Sequence, residues 1–297
     1  MLRFVLTHRR AVVLMVLVAL MWSTAGVVTR QLESARSFEV TFWRSFFTLL
    51  SLLVILPLFK GKAVFTQLQK GGASLWLSGL CWSVMFTAYM VALTLTTVAN
   101  VLVVLALGPL FTALLARIFN HHPIAPRTWV AIALAGVGII WMYGAQADLS
   151  TQLAGSLVAL GVPLAAAVNW TVVQRSQQHG KKIDLMPAVL LGALISSAVT
   201  LPLAWPLSAT AHDVAWLGSL GVFQLAIPCV LSVWCASVLK APEMALLAML
   251  EVIFGTLLAW VGAGEVPGPN VLYGGALVVA ALAFNEWMGW SESRASN

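Results

Sequence analysis

The stretch GPLFTALLARIFNHHPIAP, Gly108 to Pro126, falls without a gap on EVIFGTLLAWVGAGEVPGP, Glu251 to Pro269, when the sequence is shifted by 143 residues. Phe111 meets Phe254, Leu114-Leu115-Ala116 meets Leu257-Leu258-Ala259, and Pro126 meets Pro269. Identities between apolar segments are weak alone, but the charges strengthen them. Arg117 and Arg127 have Trp260 and Asn270 as counterparts, and the loop at 60–72, with its lysines, corresponds to one at 206–213 with no Lys or Arg. Such a loss of cations is expected when the second copy of a membrane duplication enters from the opposite side. That happens when each copy has an odd number of spans.

The rest of the 297-residue chain suits that reading. It is 61% apolar and only 9% charged, where a soluble domain carries about 25% charge. A water-facing surface cannot be built from so few charges. One helical crossing takes roughly 20 residues, so the length holds about ten crossings and no soluble domain. Ala11 to Val28 is apolar on every side, unlike the alternating strands of a barrel. The same run follows Arg3, Arg9 and Arg10 but is too long for a signal-peptide core, so it reads as a retained first span.

Spans are expected at 11–29, 38–59, 74–94, 97–118, 128–145, 153–173, 185–206, 213–238, 243–263 and 270–289, with the tightest reversal near Thr94, Thr96, Thr97 and Asn100. Five spans per half give repeats at 1–148 and 149–297. With the N-terminus inside, thirteen Lys and Arg fall in inner segments, only Arg30 and Arg36 in outer loops, and Arg44 within a span. This positive-inside bias accounts for the net charge of +6 by topology, with no nucleic-acid partner, and places both termini in the cytoplasm. The expected fold is therefore all-α and integral to the membrane: ten transmembrane helices in two inverted five-helix repeats. Designs of this kind carry a solute site between the halves near the midplane, with alternating access around it.

The run Leu250 to Trp260, LEVIFGTLLAW, ending in Gly264-Glu265, resembles the second-half signature of the drug/metabolite transporter superfamily, EamA type. Gly108 to Ala116 resembles its first-half copy. Trp22, Phe42-Trp43-Arg44 and Asn169-Trp170 also sit where that family has them. There are departures: His122 stands where a Glu often closes the first copy, and Val252 stands where Pro often follows the Glu of the second. The latter predicts a span 9 straighter than span 4, which Pro109 should kink. The resemblance implies export of small metabolites, amino acids or drugs across a bacterial cytoplasmic membrane, and is nearest to the aromatic amino-acid exporters.

Polar residues inside hydrocarbon are costly and therefore informative. Glu251 reads as a proton-coupling carboxylate or a counter-charge for a substrate ammonium, and equally as a protonated structural group bonded to a neighbouring helix. Arg44 suits a substrate carboxylate, or else snorkels or pairs with Glu39. Trp22, Ser23, Tyr89, Asn100, Asn169, Trp170, Gln224 and Trp234 lie away from loops and can line a cavity whose aromatic walls suit a flat side chain; each can equally be packing. Trp76, Trp129, Trp205, Trp216, Trp287 and Trp290 lie near span ends, as interfacial belt residues do. Gly136, Gly138, Gly161, Gly192, Gly274 and Gly275 permit close helix approach, either within the chain or in a homodimer.

No catalytic residue, metal site or cofactor is expected. Cys81, Cys229 and Cys235 lie in apolar runs and read as small buried residues. None of the five His is placed mid-membrane, no phosphate-binding loop precedes a basic residue, and no hydrolytic set falls at one depth. The partners expected are membrane lipids and a small-molecule substrate, with amino acids first and aromatic ones foremost. The alternative is a multidrug or cationic-compound exporter using Glu251 as counter-charge. Proton coupling and passive flux both fit.

Overall fold

A computed structural model describes residues 6–29, 31–35, 37–61, 63–95, 101, 104–119, 124–144, 153–178, 184–263 and 268–295. Among these residues all regular structure is helical. In the first half α1 (His8–Trp22) and α2 (Ala25–Thr29) are followed by α3 (Ser37–Lys60), the short α4 (Ala63–Lys70), α5 (Gly72–Leu95), α6 (Gly108–Phe119) and α7 (Pro126–Tyr143). In the second half α8 (Leu153–Gln178) and α9 (Met186–Ala204) precede α10 (Ala211–Ser219). A π-helical stretch (Leu220–Ala226) joins α10 to α11 (Ile227–Cys235), and α12 (Ala241–Ala248), α13 (Leu250–Ala263) and α14 (Pro269–Ala295) complete the chain. Pro126, Pro187 and Pro242 open α7, α9 and α12, where the missing N–H would have had no helical partner anyway.

Five of the expected segments are helices long and apolar enough to cross a bilayer: Phe38–Leu58, Gly72–Ala92, Leu153–Ser176, Met186–Ala204 and Ala211–Cys235. Three more are shorter apolar helices, Gly108–Phe119, Pro126–Met142 and Pro269–Asn285. The first and ninth are broken, at Ser23-Thr24 and at Met249. The expected straight ninth span is thus corrected. Met249 N–H bonds Leu246 O and Val252 N–H bonds Met249 O, i→i+3 contacts at 3.1 Å each, so the helix is interrupted without a proline. The fourth segment breaks at Ala106-Leu107, and Ala106 lies 143 residues before Met249. Both copies break at the same register.

The packing carries the same exchange. The third segment (α5) packs on the sixth (α8) and seventh (α9), and the eighth (α10 to α11) on the first (α1) and second (α3). The fourth packs on the sixth, and the ninth on the first. The fifth packs on the tenth, and the fourth on the ninth. Each of these pairs maps onto another, or onto itself, when each segment is replaced by the one five further on.

Side-chain bonds group the chain's turns by end. At one end Lys60 Nζ reaches Asp184 at 2.7 Å and His8 Nε2 reaches Glu243 at 2.6 Å. At the other end of α3, Glu39 binds the loop at 208–209. A helix of 24 residues is about 36 Å long, enough for the ~30 Å hydrocarbon core. Lys60 with Asp184 and the N-terminal helix start thus share the face opposite to 31–35 and 206–210. Large apolar side chains such as Val13, Val54, Leu58 and Val261 point outward, the last 85% exposed. They form the coat that lipid requires.

Two glycine pairs permit the closest crossings. A Cβ on Gly138 would sit 2.7 Å from Gly274 O, locking α7 to α14, and one on Gly192 would sit 3.1 Å from Gly79 O, where α5 crosses α9. These small-residue contacts therefore serve helices within the chain, whereas nothing lies within 4 Å of a Cβ at Gly136.

Candidate functional site

The helix breaks face a common space. A cavity of ≈ 180 Å³ is lined by Leu105, Ala106, Gly108, Pro109 and Thr112 from the fourth segment and by Ala245, Ala248, Met249, Glu251 and Val252 from the ninth. Trp22, Arg44, Gln224 and Cys229 complete the lining, together with Trp82, Met85, Phe86, Tyr89, Val162, Pro163, Ala166 and Trp170. Each break starts a half-helix at the cavity, where orphan N–H groups and the dipole favour negative charge. In α13 the first turn already holds an acid, Glu251, whereas α6 has none there.

Arg44 is 2% exposed, and its Nη2 donates to Phe86 O at 3.0 Å. It does not pair with Glu39, as the sequence had allowed. Five residues along a helix turn the side chain by about 140°, so Glu39 faces the 208–209 loop while Arg44 faces inward. Gly221 makes this crossing close: a Cβ there would lie 2.8 Å from Arg44 O. The π-helical stretch beside it carries Gln224 into the wall. Such stretches recur at functional sites because the extra residue re-aims the side chains beyond it. Gln224 Nε2 donates to Trp22 O at 3.2 Å, a carbonyl near the end of α1. Tyr89 and Glu251 lie within electrostatic reach of Arg44, yet among the described residues no ion pair joins Arg44 to Glu251. The cavity therefore holds a cation and an acid side by side, between aromatic walls.

Of the residues singled out from the sequence, Trp22, Arg44, Tyr89, Trp170, Gln224 and Glu251 meet at this cavity. Ser23, Asn169 and Trp234 are not part of its lining. Ser23 Oγ donates to Leu20 O at 2.6 Å, healing the break after α1. Asn169 is fully buried and accepts from Ser78 Oγ at 2.6 Å, tying α8 to α5. Asn100 lies outside the described residues. Sequence reasoning missed Trp82. It lies seven residues before Tyr89, hence on the same helix face, and that spacing was the available signal.

The sequence profile of the EamA-like transporter family matches the chain twice, over residues 9–144 and 153–286. An S-adenosylmethionine uptake transporter of Rickettsia conorii is 27% identical over 95% of this chain and 93% of its own length. One of Rickettsia prowazekii is 24% identical over 84% of this chain and 82% of its own. An uncharacterised transporter of Bacillus subtilis, YdfC, is 25% identical over 63% of this chain and 61% of its own. A solved crystal structure superposes with a TM-score of 0.76 at 17% identity, covering 95% of this chain and 99% of that one, and shares the fold. The relatives named for a substrate take up S-adenosylmethionine, so the nearness to aromatic amino-acid exporters is not reproduced among them. Matched in both halves, the chain belongs to the EamA-like transporter family and is a multi-pass membrane transporter of that type.

Proposed function

We propose that this transporter has ten spans in two inverted repeats, 1–148 and 149–297, with both termini in the bacterial cytoplasm. Its solutes are amino-acid zwitterions bearing a flat ring, aromatic amino acids first, moved outward by alternating access at the cavity between the halves. The exchange of packing partners and the paired helix breaks support the duplication. The observation that carries the substrate class is the joint presence of Arg44 and Glu251, unpaired with each other, in one cavity walled by Trp22, Trp82, Phe86, Tyr89 and Trp170. A zwitterion supplies both missing counter-charges, and the rings take the flat side chain. A cationic-drug exporter is less well matched, since Arg44 opposes a bare cation.

A second reading has the support of the Rickettsia relatives. S-adenosylmethionine carries the same amino-acid head and a flat ring, and its sulfonium suits an aromatic box through cation–π attraction. The purified protein in liposomes, assayed for counterflow of labelled tryptophan, phenylalanine and S-adenosylmethionine, separates the two. Arg44→Gln and Glu251→Gln should each cut zwitterion flux at least tenfold if they hold head-group charges, since a charged buried partner is worth ~1.5–3 kcal/mol. Absence of flux for all three solutes in the unmutated protein refutes the assignment.

A further inference from the structure

Three buried polar atoms of the cavity wall have no hydrogen-bond partner: Arg44 Nε, Trp82 Nε1 and Gln224 Oε1. Their residues are 2%, 2% and 4% exposed. Buried polar groups are nearly always satisfied, and an unmet one marks either a cost or a ligand. Here the orientation of each is imposed from behind. Gln224 must turn its Nε2 to Trp22 O; flipped, the amide would set oxygen against oxygen. Its Oε1 is therefore the atom presented. Trp82 is wedged edge-on against Trp170, ring centroids 5.7 Å apart at 90°, and against Phe86 at 5.6 Å. Gly192 meets its Cβ from α9, so the indole has no room to seek another acceptor. Arg44 is anchored through Nη2 on Phe86 O, one helical turn from Trp82, and keeps Nε–H free.

The unmet atoms sort by polarity. The two N–H donors are linked through Phe86, which packs on Trp82 and whose carbonyl holds Arg44, and one of them is on a cation. The one acceptor shares the cavity with the Glu251 carboxylate. We infer that the head group is read by a polar pair added to the two charges: Trp82 Nε1–H donates to the solute carboxylate beside Arg44, and Gln224 Oε1 accepts from its ammonium beside Glu251. This rests on the zwitterion reading above and assigns its two ends. Trp82 and Gln224 thereby become specificity residues, not only wall.

The test is equilibrium binding of three probes to the purified protein: tryptophan, tryptamine, which lacks the carboxylate, and indole-3-propionate, which lacks the ammonium. On the unmutated chain both analogues should bind at least tenfold more weakly than tryptophan. Trp82→Phe keeps a ring and deletes the donor. It should raise Kd about tenfold for tryptophan and indole-3-propionate and leave tryptamine unchanged. Gln224→Met should do the reverse, weakening tryptophan and tryptamine about tenfold while sparing indole-3-propionate. A packing role would move all three probes together, so a uniform change overturns the inference, as does an unchanged tryptophan Kd in both variants. Equal binding of the three probes by the unmutated chain overturns it without any variant. If the unmutated chain binds none of them, the zwitterion reading itself falls.

Discussion

Glu39 and Asp213 lie on one face of the molecule and clasp each other's halves, so their loss should be unequal in a way the geometry dictates. Both carboxylates are fully buried, each in the first turn of its helix, where negative charge is favoured. Glu39, in the first half, accepts Ser208 N at 2.9 Å and Ala209 N at 2.8 Å through Oε1, and Ser208 N at 3.0 Å and Ser208 Oγ at 2.9 Å through Oε2. Asp213, in the second half, accepts Glu33 N at 2.8 Å through Oδ1, and Ser34 N, Ser34 Oγ and Ala35 N at 3.0–3.1 Å through Oδ2.

An amide keeps one oxygen and gains a donor. In Glu39→Gln the new NH₂ can face the Ser208 hydroxyl, which rotates to accept, and Ser208 N–H keeps its shorter bond to Oε1, so the loss is of charge assistance and the longer arm of a bifurcated bond, about 1 kcal/mol. At roughly 2–4 °C per kcal/mol, thermal unfolding followed by tryptophan fluorescence in detergent should fall by about 2–4 °C. In Asp213→Asn the oxygen stays with the three donors on the Oδ2 side and the NH₂ confronts Glu33 N–H. Two donors then meet with no acceptor, and the drop should be at least twice that of Glu39→Gln. Equal drops, or an Asp213→Asn protein melting within about 1 °C of the unmutated one, would refute the reasoning.

Two further outcomes are expected. Gly274→Leu should force α14 off α7, because even a Cβ there meets Met142 N at 2.9 Å; overpacking of this kind costs about 1–3 kcal/mol, and the same change at Gly136, which faces open space, should be silent in the melting assay. Cysteines placed at Lys62 and His212 in a cysteine-free background should label from opposite sides of the membrane in intact cells, and labelling from one side removes the inverted arrangement.

The parts legible in the sequence were those that composition and spacing write directly. Cation-rich turns marked one face, and the turns at Lys60 and Asp184 do meet there, since positive charge is excluded from hydrocarbon wherever the chain goes. The offset of 143 residues between Phe111 and Phe254 likewise anticipated matched register, and the breaks at Ala106 and Met249 fall on it. Their occurrence was not legible, because local chemistry does not force them. Pro109 stands in one copy and Val252 in the other, so a proline rule predicted a difference where the helices behave alike. What the two breaks share is position: both adjoin the cavity, where backbone released from a helix can turn to a solute or water instead of lipid. Long-range partners were equally hidden. Glu39 was weighed against Arg44, five residues away, yet it binds Ser208, 169 positions on, on the opposite face of α3. Asn169 shows the converse. A mid-span amide invites a ligand role, but Ser78 on α5 satisfies its oxygen and leaves it outside the cavity. Trp82, whose indole invites no notice among so many tryptophans, keeps its N–H unspent at the wall. Asn169 Nδ2 is unmet as well, so it is their place in the cavity lining, a property of the packing, that makes Trp82 and Gln224, more than Asn169, the side chains on which solute choice turns.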